Sequence, residues 1–133
     1  MKGLQIIADF HNCTCDAALL REVVRLEFAC LGACQHAGLT VVTHAFHQFG
    51  DSEHPGGATG AVVLAESHLA VHSWPELRAV TLDIYVCNVN QDNGERAKAL
   101  YDTLHMTFQP CQVQMQMLER GNLSYPLNTA SYN

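Results

Sequence analysis

Segment 61–87 constrains the fold most. An apolar run from Ala61 to Ala65 passes through Glu66-Ser67-His68 into an apolar/polar alternation, breaks at "WPEL", 74–77, and resumes as "RAVTLDIYVC". A period of two over that length, interrupted by a proline-bearing turn, predicts two antiparallel strands, 61–73 and 78–87, at the heart of a sheet. With 74–77 as a four-residue turn, residue 73 faces 78 and Cys87 faces residue 64. The thiol then lies about one pair from the Glu66–Ser67 bond.

The rest of the chain supplies further layers. Leu4, Ile6, Ala8 and Phe10 alternate as a half-buried strand, "LTVVTHAF", 39–46, is β-branched, and "CQVQMQML", 111–118, reads as a strand with one wet face. Asp16 caps a predicted helix with the stripe Leu19, Val23, Leu26, Cys30, Ala33 and Ala37, stopped by Gly38. Asp92 and Glu95 form a capping-box pattern for a second helix carrying Ala97, Leu100, Tyr101 and Leu104. "GDSEHPGGATG", 50–60, holds four of the nine glycines and predicts a flexible loop; 119–133 predicts a polar, irregular tail. The order β-α-β-β-β-α-β predicts an α+β two-layer sandwich: one domain, 1–133, with a mostly antiparallel sheet and both helices on one face.

Composition narrows the partners. Seven basic against thirteen acidic residues give a net charge of −6, with no basic run. Nucleic acid and anionic membrane are therefore poor partners, and a cationic ligand suits the field better. "MKGLQIIADF" reads as neither signal peptide nor membrane span. The expectation is a cytoplasmic protein whose six cysteines remain thiols.

Metal is not expected. Cys13 and Cys15, Cys30 and Cys34, His44 and His47, and His68 and His72 never form a paired C-x-x-C signature. Cys30 lies on the helical core stripe and Cys34 at its edge, where cysteine acts as a small hydrophobe. His68 and His72 share a strand face but stand roughly 13 Å apart. Ser67 sits in neither G-x-S-x-G nor S-x-x-K, so no standard hydrolase reading is available. His72, five residues on, reaches Ser67 only if the strand bulges or curls, or if a loop folds over.

"ESHLAVHSWPE" followed by "LDIYVC" closely resembles the bacterial and archaeal S-adenosylmethionine decarboxylase proenzymes. "ADFHNC", "AGLTVVTHAFHQF" and "GATGAVVLAESH" extend the resemblance over residues 5–90. It implies self-processing: the Ser67 hydroxyl attacks the Glu66 carbonyl, the amide becomes an ester, and β-elimination splits the chain. The fragments are a β chain, 1–66, and an α chain, 67–133, whose first residue becomes a pyruvoyl group with loss of ammonia. That covalent cofactor forms a Schiff base with the substrate amine and acts as the electron sink for decarboxylation, in polyamine (spermidine) biosynthesis.

The resemblance also implies roles. His72 takes the serine-derived α-proton during processing, and Cys87 reprotonates the substrate Cα after CO₂ leaves. Thr59 stands where the family has a processing serine; it keeps the hydroxyl and adds a methyl group. Phe49 stacks on the adenine, and Glu76 holds the ribose hydroxyls. The implied assembly is a homodimer, or a heterotetramer of two α and two β chains. Trp74 reads as core, and His44, His47 and His68 as structural. Two departures stand out: about four extra residues between Phe49 and Thr59, and an extra pair in "HNCTCD" near a position that frames the site from a neighbouring subunit. An arginine or ornithine decarboxylase on the same scaffold is the alternative, and a non-enzymatic metal-binding module a more distant one.

Overall fold

The computed structural model describes residues 2–88 and 92–121. In chain order it contains β1 (Gly3–Cys13), α1 (Ala17–Arg21), α2 (Val23–His36), β2 (Val41–Gly50), β3 (Pro55–Leu64) and β4 (Ser67–Trp74). A single 3₁₀ turn (Pro75–Leu77) leads to β5 (Ala79–Cys87), α3 (Gly94–Phe108) and β6 (Pro110–Arg120). The six strands form one sheet in the order β2-β3-β4-β5-β1-β6. Each neighbouring pair is antiparallel.

The two-layer α+β architecture follows from the alternation. Ile6, Ala8 and Phe10 of β1, Leu69 and Val71 of β4, and Val80, Leu82, Ile84 and Val86 of β5 are buried on one face. They meet Leu26, Cys30 and Ala33 of α2 and Leu100, Leu104 and Phe108 of α3 in one core. Burial of each large side chain contributes roughly 1.5–3 kcal/mol. No helix among the described residues covers the opposite face of the sheet, where the odd positions of β5 and the even positions of β4 lie. Among the described residues, no helix is long and apolar enough to cross a membrane.

Six local expectations are corrected. The strand expected at 61–73 is two strands, β3 and β4, joined by the two-residue loop Ala65–Glu66. The flexible loop expected at 50–60 shrinks to 51–54, because β3 begins at Pro55 and pairs with β2. That turn is tied by the Asp51 carboxylate, which accepts from the backbone N–H of Glu53 and His54. Trp74 pairs with Ala79, so the turn is 75–78 and the register moves by two, bringing Cys87 opposite Glu66. Arg78 closes the turn in the left-handed region, at φ 47°.

The helix expected from Asp16 to Gly38 is also two helices. Asp16 caps α1 as predicted, accepting from Ala18 N–H, but Glu22 is extended at φ −104°, ψ 121°. Gln48 of β2 fills the break. Its Oε1 accepts from Val23 N–H at 2.8 Å, and its Nε2 donates to the carbonyls of Arg21 and Gly57, both at 2.7 Å. One amide thus satisfies backbone groups that a broken helix would leave unpaired. The Asp92–Glu95 capping box does not form. Asn93 is the N-cap, Asp92 accepts from Gly94 N–H, and Glu95 lies beside Lys98. β6 runs to Arg120, so the irregular tail starts later than expected; residues 122–133 lie outside the described residues.

Candidate active site

At one end of β4 lies the hairpin loop. Leu64 pairs with Ser67 across two intervening residues, and the second of these, Glu66, has φ 64°. A left-handed conformation costs an L-residue roughly 1–2 kcal/mol and usually selects glycine or asparagine. Ser67 follows at once, with its side chain on the helix-covered face. It is 7% exposed, and its Oγ is a buried oxygen with no hydrogen-bond partner among the described residues. An unpaired buried hydroxyl costs about 1–3 kcal/mol and calls for an explanation. One step beyond the Ser67–Val86 pair, Cys87 stands across from Glu66, and on its other side it pairs with Gly3. A Cβ at Gly3 would come within 2.8 Å of the Val86 carbonyl, so glycine permits this close approach.

At the other end, the open sheet face carries an aromatic stack. His47, Thr59, His72 and Thr81 align across β2, β3, β4 and β5. The His72 ring lies parallel to Trp74 at 3.8 Å and 8°, and to Phe49 at 5.5 Å and 24°. His47 meets Phe49 edge-on at 5.1 Å. Trp74 is therefore part of this exposed stack, not the core, because even positions of β4 face away from the helices. Thr59 Oγ1 donates to the Val71 carbonyl at 3.4 Å. Glu76 is exposed on the 3₁₀ turn and borders a cleft with Arg21, Pro55 and Arg78. A second cleft, about 430 Å³, flanks Trp74 with Asp9, His11 and Leu77.

The seven expected residues thus fall into two groups. Glu66, Ser67 and Cys87 converge at the hairpin; Phe49, Thr59, His72 and Glu76 gather at the far end. Within one chain the groups do not meet. β4 is continuous from Ser67 to Trp74, so Ser67 and His72 are roughly 16 Å apart along the strand and on opposite faces. The bulge or curl that would have joined them is absent.

Four of the six cysteines and two further histidines have local packing partners or burial that account for them. His44 Nδ1 lies 3.2 Å from Glu27, and His68 leans on Tyr85. Burial pushes the Cys13 thiol up to about 11 and Cys34 to about 12, and raises Cys15 and Cys30 too. Thiols held protonated in this way are poor nucleophiles and ligands. Among the described residues, no group of three or more His, Cys, Asp or Glu is arranged to hold a metal ion.

A family model described as S-adenosylmethionine decarboxylase matches residues 4–121. The chain belongs to the S-adenosylmethionine decarboxylase family. It is 44% identical over 121 residues to the S-adenosylmethionine decarboxylase proenzyme of Acidithiobacillus ferrooxidans, covering 91% of this chain and 84% of that one. The proenzyme of Thermoplasma volcanium is 36% identical over 121 residues, covering 91% and 85%. Among solved structures, the adenosylmethionine decarboxylase of Aquifex aeolicus superposes with a TM-score of 0.79 at 31% identity, covering 96% of this chain and 97% of that one.

Sequence reasoning missed two features of the site. Asp9 and His11 border the cleft at Trp74. Asn93, 4% exposed, donates from Nδ2 to the Cys87 carbonyl at 3.0 Å and accepts from Arg96 at 2.9 Å. Asp9 and His11 lie within "ADFHNC", which carried the resemblance without a role for either, and Asn93 belongs to no motif. Only the packing of α3 against the end of β5 makes the second one visible.

Proposed function

We propose that the chain is a self-processing, pyruvoyl-dependent S-adenosylmethionine decarboxylase. The observation that carries this reading is Ser67 Oγ, buried without a partner beside a left-handed Glu66, within a chain of this family. The hydroxyl has no competing hydrogen bond to lose when it attacks the Glu66 carbonyl, and scission releases the backbone strain at Glu66. The same two features suit the conversion of Ser67 to a pyruvoyl group, since the future ketone starts in a dry, restricted position. When present, that group supplies an electron sink for the pair left on Cα as CO₂ departs.

The other residues bind, orient and move protons. Cys87, which stands across from Glu66, delivers a proton to Cα through its thiol. Phe49, His72 and Trp74 offer ring faces to an adenine and a sulfonium, which suits a protein of net charge −6. Glu76 offers a carboxylate to ribose hydroxyls. Thr59 and His72 face each other across β3 and β4, so one hydroxyl and one imidazole act together on the proton removed from Ser67 Cα.

These roles require the two ends of β4 to meet, and a second copy supplies the missing half. A two-fold axis through the open sheet face brings one copy's hairpin against the other's aromatic stack, and the reverse. The middle of that face is small: Ala45, Ala61 and Ala70 stand in register across β2, β3 and β4, allowing two sheets to approach closely. The reading is therefore of a homodimer which, once split, contains two α and two β chains and works in the cytoplasm.

Intact-mass measurement together with CO₂ release tests the reading. Fragments of residues 1–66 and 67–133, the second beginning with a ketone, should appear with CO₂ release from S-adenosylmethionine. Release from arginine or ornithine without release from S-adenosylmethionine would overturn the substrate. A single folded chain after long incubation would overturn the self-processing.

A further inference from the structure

Self-cleavage creates a charge that the uncleaved chain lacks. β-Elimination of the ester formed by Ser67 breaks its Cβ–O bond, so Glu66 becomes a chain terminus and its carbonyl an α-carboxylate. Its ordinary pKa, near 3.3–3.7, makes it an anion at neutral pH. The new partner end, a ketone, carries no ammonium to balance that charge. The substrate's own carboxylate must then approach the same place. Uncompensated, the new terminus would repel it.

A cleft of about 190 Å³ lies behind the hairpin loop, bounded by Ala65 and Glu66 on one side and by Asn93 and Arg96 of the α3 start on the other. Arg96 is the basic residue lining it. Its guanidinium is oriented by Asn93 Oδ1 at 2.9 Å, and Asn93 is itself pinned by the Cys87 carbonyl and by Asn88 Oδ1, which accepts from Asn93 N–H at 2.8 Å. A guanidinium carries five donors in a planar fork that matches a carboxylate, and bonding to Asn93 fixes its plane without exhausting that fork.

We propose that Arg96 receives the carboxylate created at Glu66 by cleavage and draws the new β-chain end into this cleft. The inference rests on the self-processing reading and adds a site to it. The consequence is twofold: the severed end is kept away from the ketone, and the incoming substrate meets one anion fewer. Asn93 acts through Arg96 and is a positioning residue, which also ties the receiver to the strand end bearing Cys87.

The test is trimming of the β chain by a carboxypeptidase, followed by intact mass on the folded, processed protein. In the parent, Glu66 should be removed slowly. In Arg96→Gln it should be removed at least tenfold faster, and in Arg96→Lys, which keeps the charge but not the fork, at an intermediate rate. If Arg96→Gln does not fold, the parent decides: trimming should accelerate severalfold between low salt and 1 M NaCl, relative to a free peptide ending in the same residues. Equal trimming in parent and variant, or a parent rate indifferent to salt, overturns the inference while leaving self-processing intact. A chain that never splits removes both.

Discussion

At its first residue β4 carries a buried hydroxyl with no partner next to a left-handed glutamate; at its last residues it carries rings packed on one another. The hairpin end holds strain and an unsatisfied polar atom, the marks of a place where a bond is to be broken. The aromatic end is preorganised, with Phe49, His72 and Trp74 held by mutual stacking and with Gln48 bracing the backbone beside Phe49. On the proposed function, one end reacts and the other holds. Roughly 16 Å of continuous strand separates them, so on the proposed dimer a single chain contributes halves of two different sites.

The largest effect is expected at the reactive end. Ser67→Ala removes the only atom that can attack Glu66 in this way. Denaturing mass spectrometry should show one full-length chain, and decarboxylation should be lost entirely. Cys87→Ala should separate the two tasks of that end. Splitting should persist, while CO₂ release falls about a hundredfold or more, the scale of losing a placed general acid. The product mixture should also reveal misprotonation as progressive inactivation. An unchanged turnover rate would remove Cys87 from the chemistry.

At the holding end a change at Glu76, unlike one at Thr59 or His72, should spare scission. Glu76→Gln keeps the shape and loses the charge-assisted bonds to ribose. It should lower kcat/KM for S-adenosylmethionine about tenfold to a hundredfold, corresponding to roughly 1–3 kcal/mol, with splitting at the parent rate. The smallest effect is structural. Gln48→Ala leaves Val23 N–H and the Arg21 and Gly57 carbonyls without that partner, so chemical denaturation should show a stability loss of about 1–3 kcal/mol. A loss near zero would mean that water replaces the amide and that the bracing of Phe49 is dispensable.

Much of this was legible before any coordinates. Alternation placed β1, β5 and β6, and β4 only as the second part of one longer strand, 61–73; the helix-covered face contains the residues that the period of two selected. The turn at Ala65–Glu66 was not legible, because neither residue carries a turn signal; Glu66, at φ 64°, occupies the place where glycine or asparagine would normally advertise the bend. Pro55-Gly56-Gly57 gave the opposite error. They resemble a loop, yet Gly57, at φ 98°, lets the strand pass where a Cβ would sit 2.6 Å from the Ser73 carbonyl. The break at Glu22 depends on Gln48, which lies outside any local window around the helix. For the site, a contiguous motif revealed residue identities but not their separation. Trp74 was misread as core because it was assigned to the turn; it is the last residue of β4, whose even positions face away from the helices.

Mixed assembly tests most directly whether the two ends of β4 serve one site across two copies. Ser67→Ala and His72→Ala chains are each defective alone, the first whole and the second stalled in processing. When the two are co-expressed, a mixed dimer places the intact Ser67 of the His72→Ala chain against the intact His72 of its neighbour. The account predicts that His72→Ala chains split only in the mixture. It also predicts that decarboxylation of S-adenosylmethionine returns to about a quarter of the parent level, since random pairing makes half the dimers mixed and each has one complete site of two. His72→Ala chains that behave identically with and without the Ser67→Ala partner would contradict it.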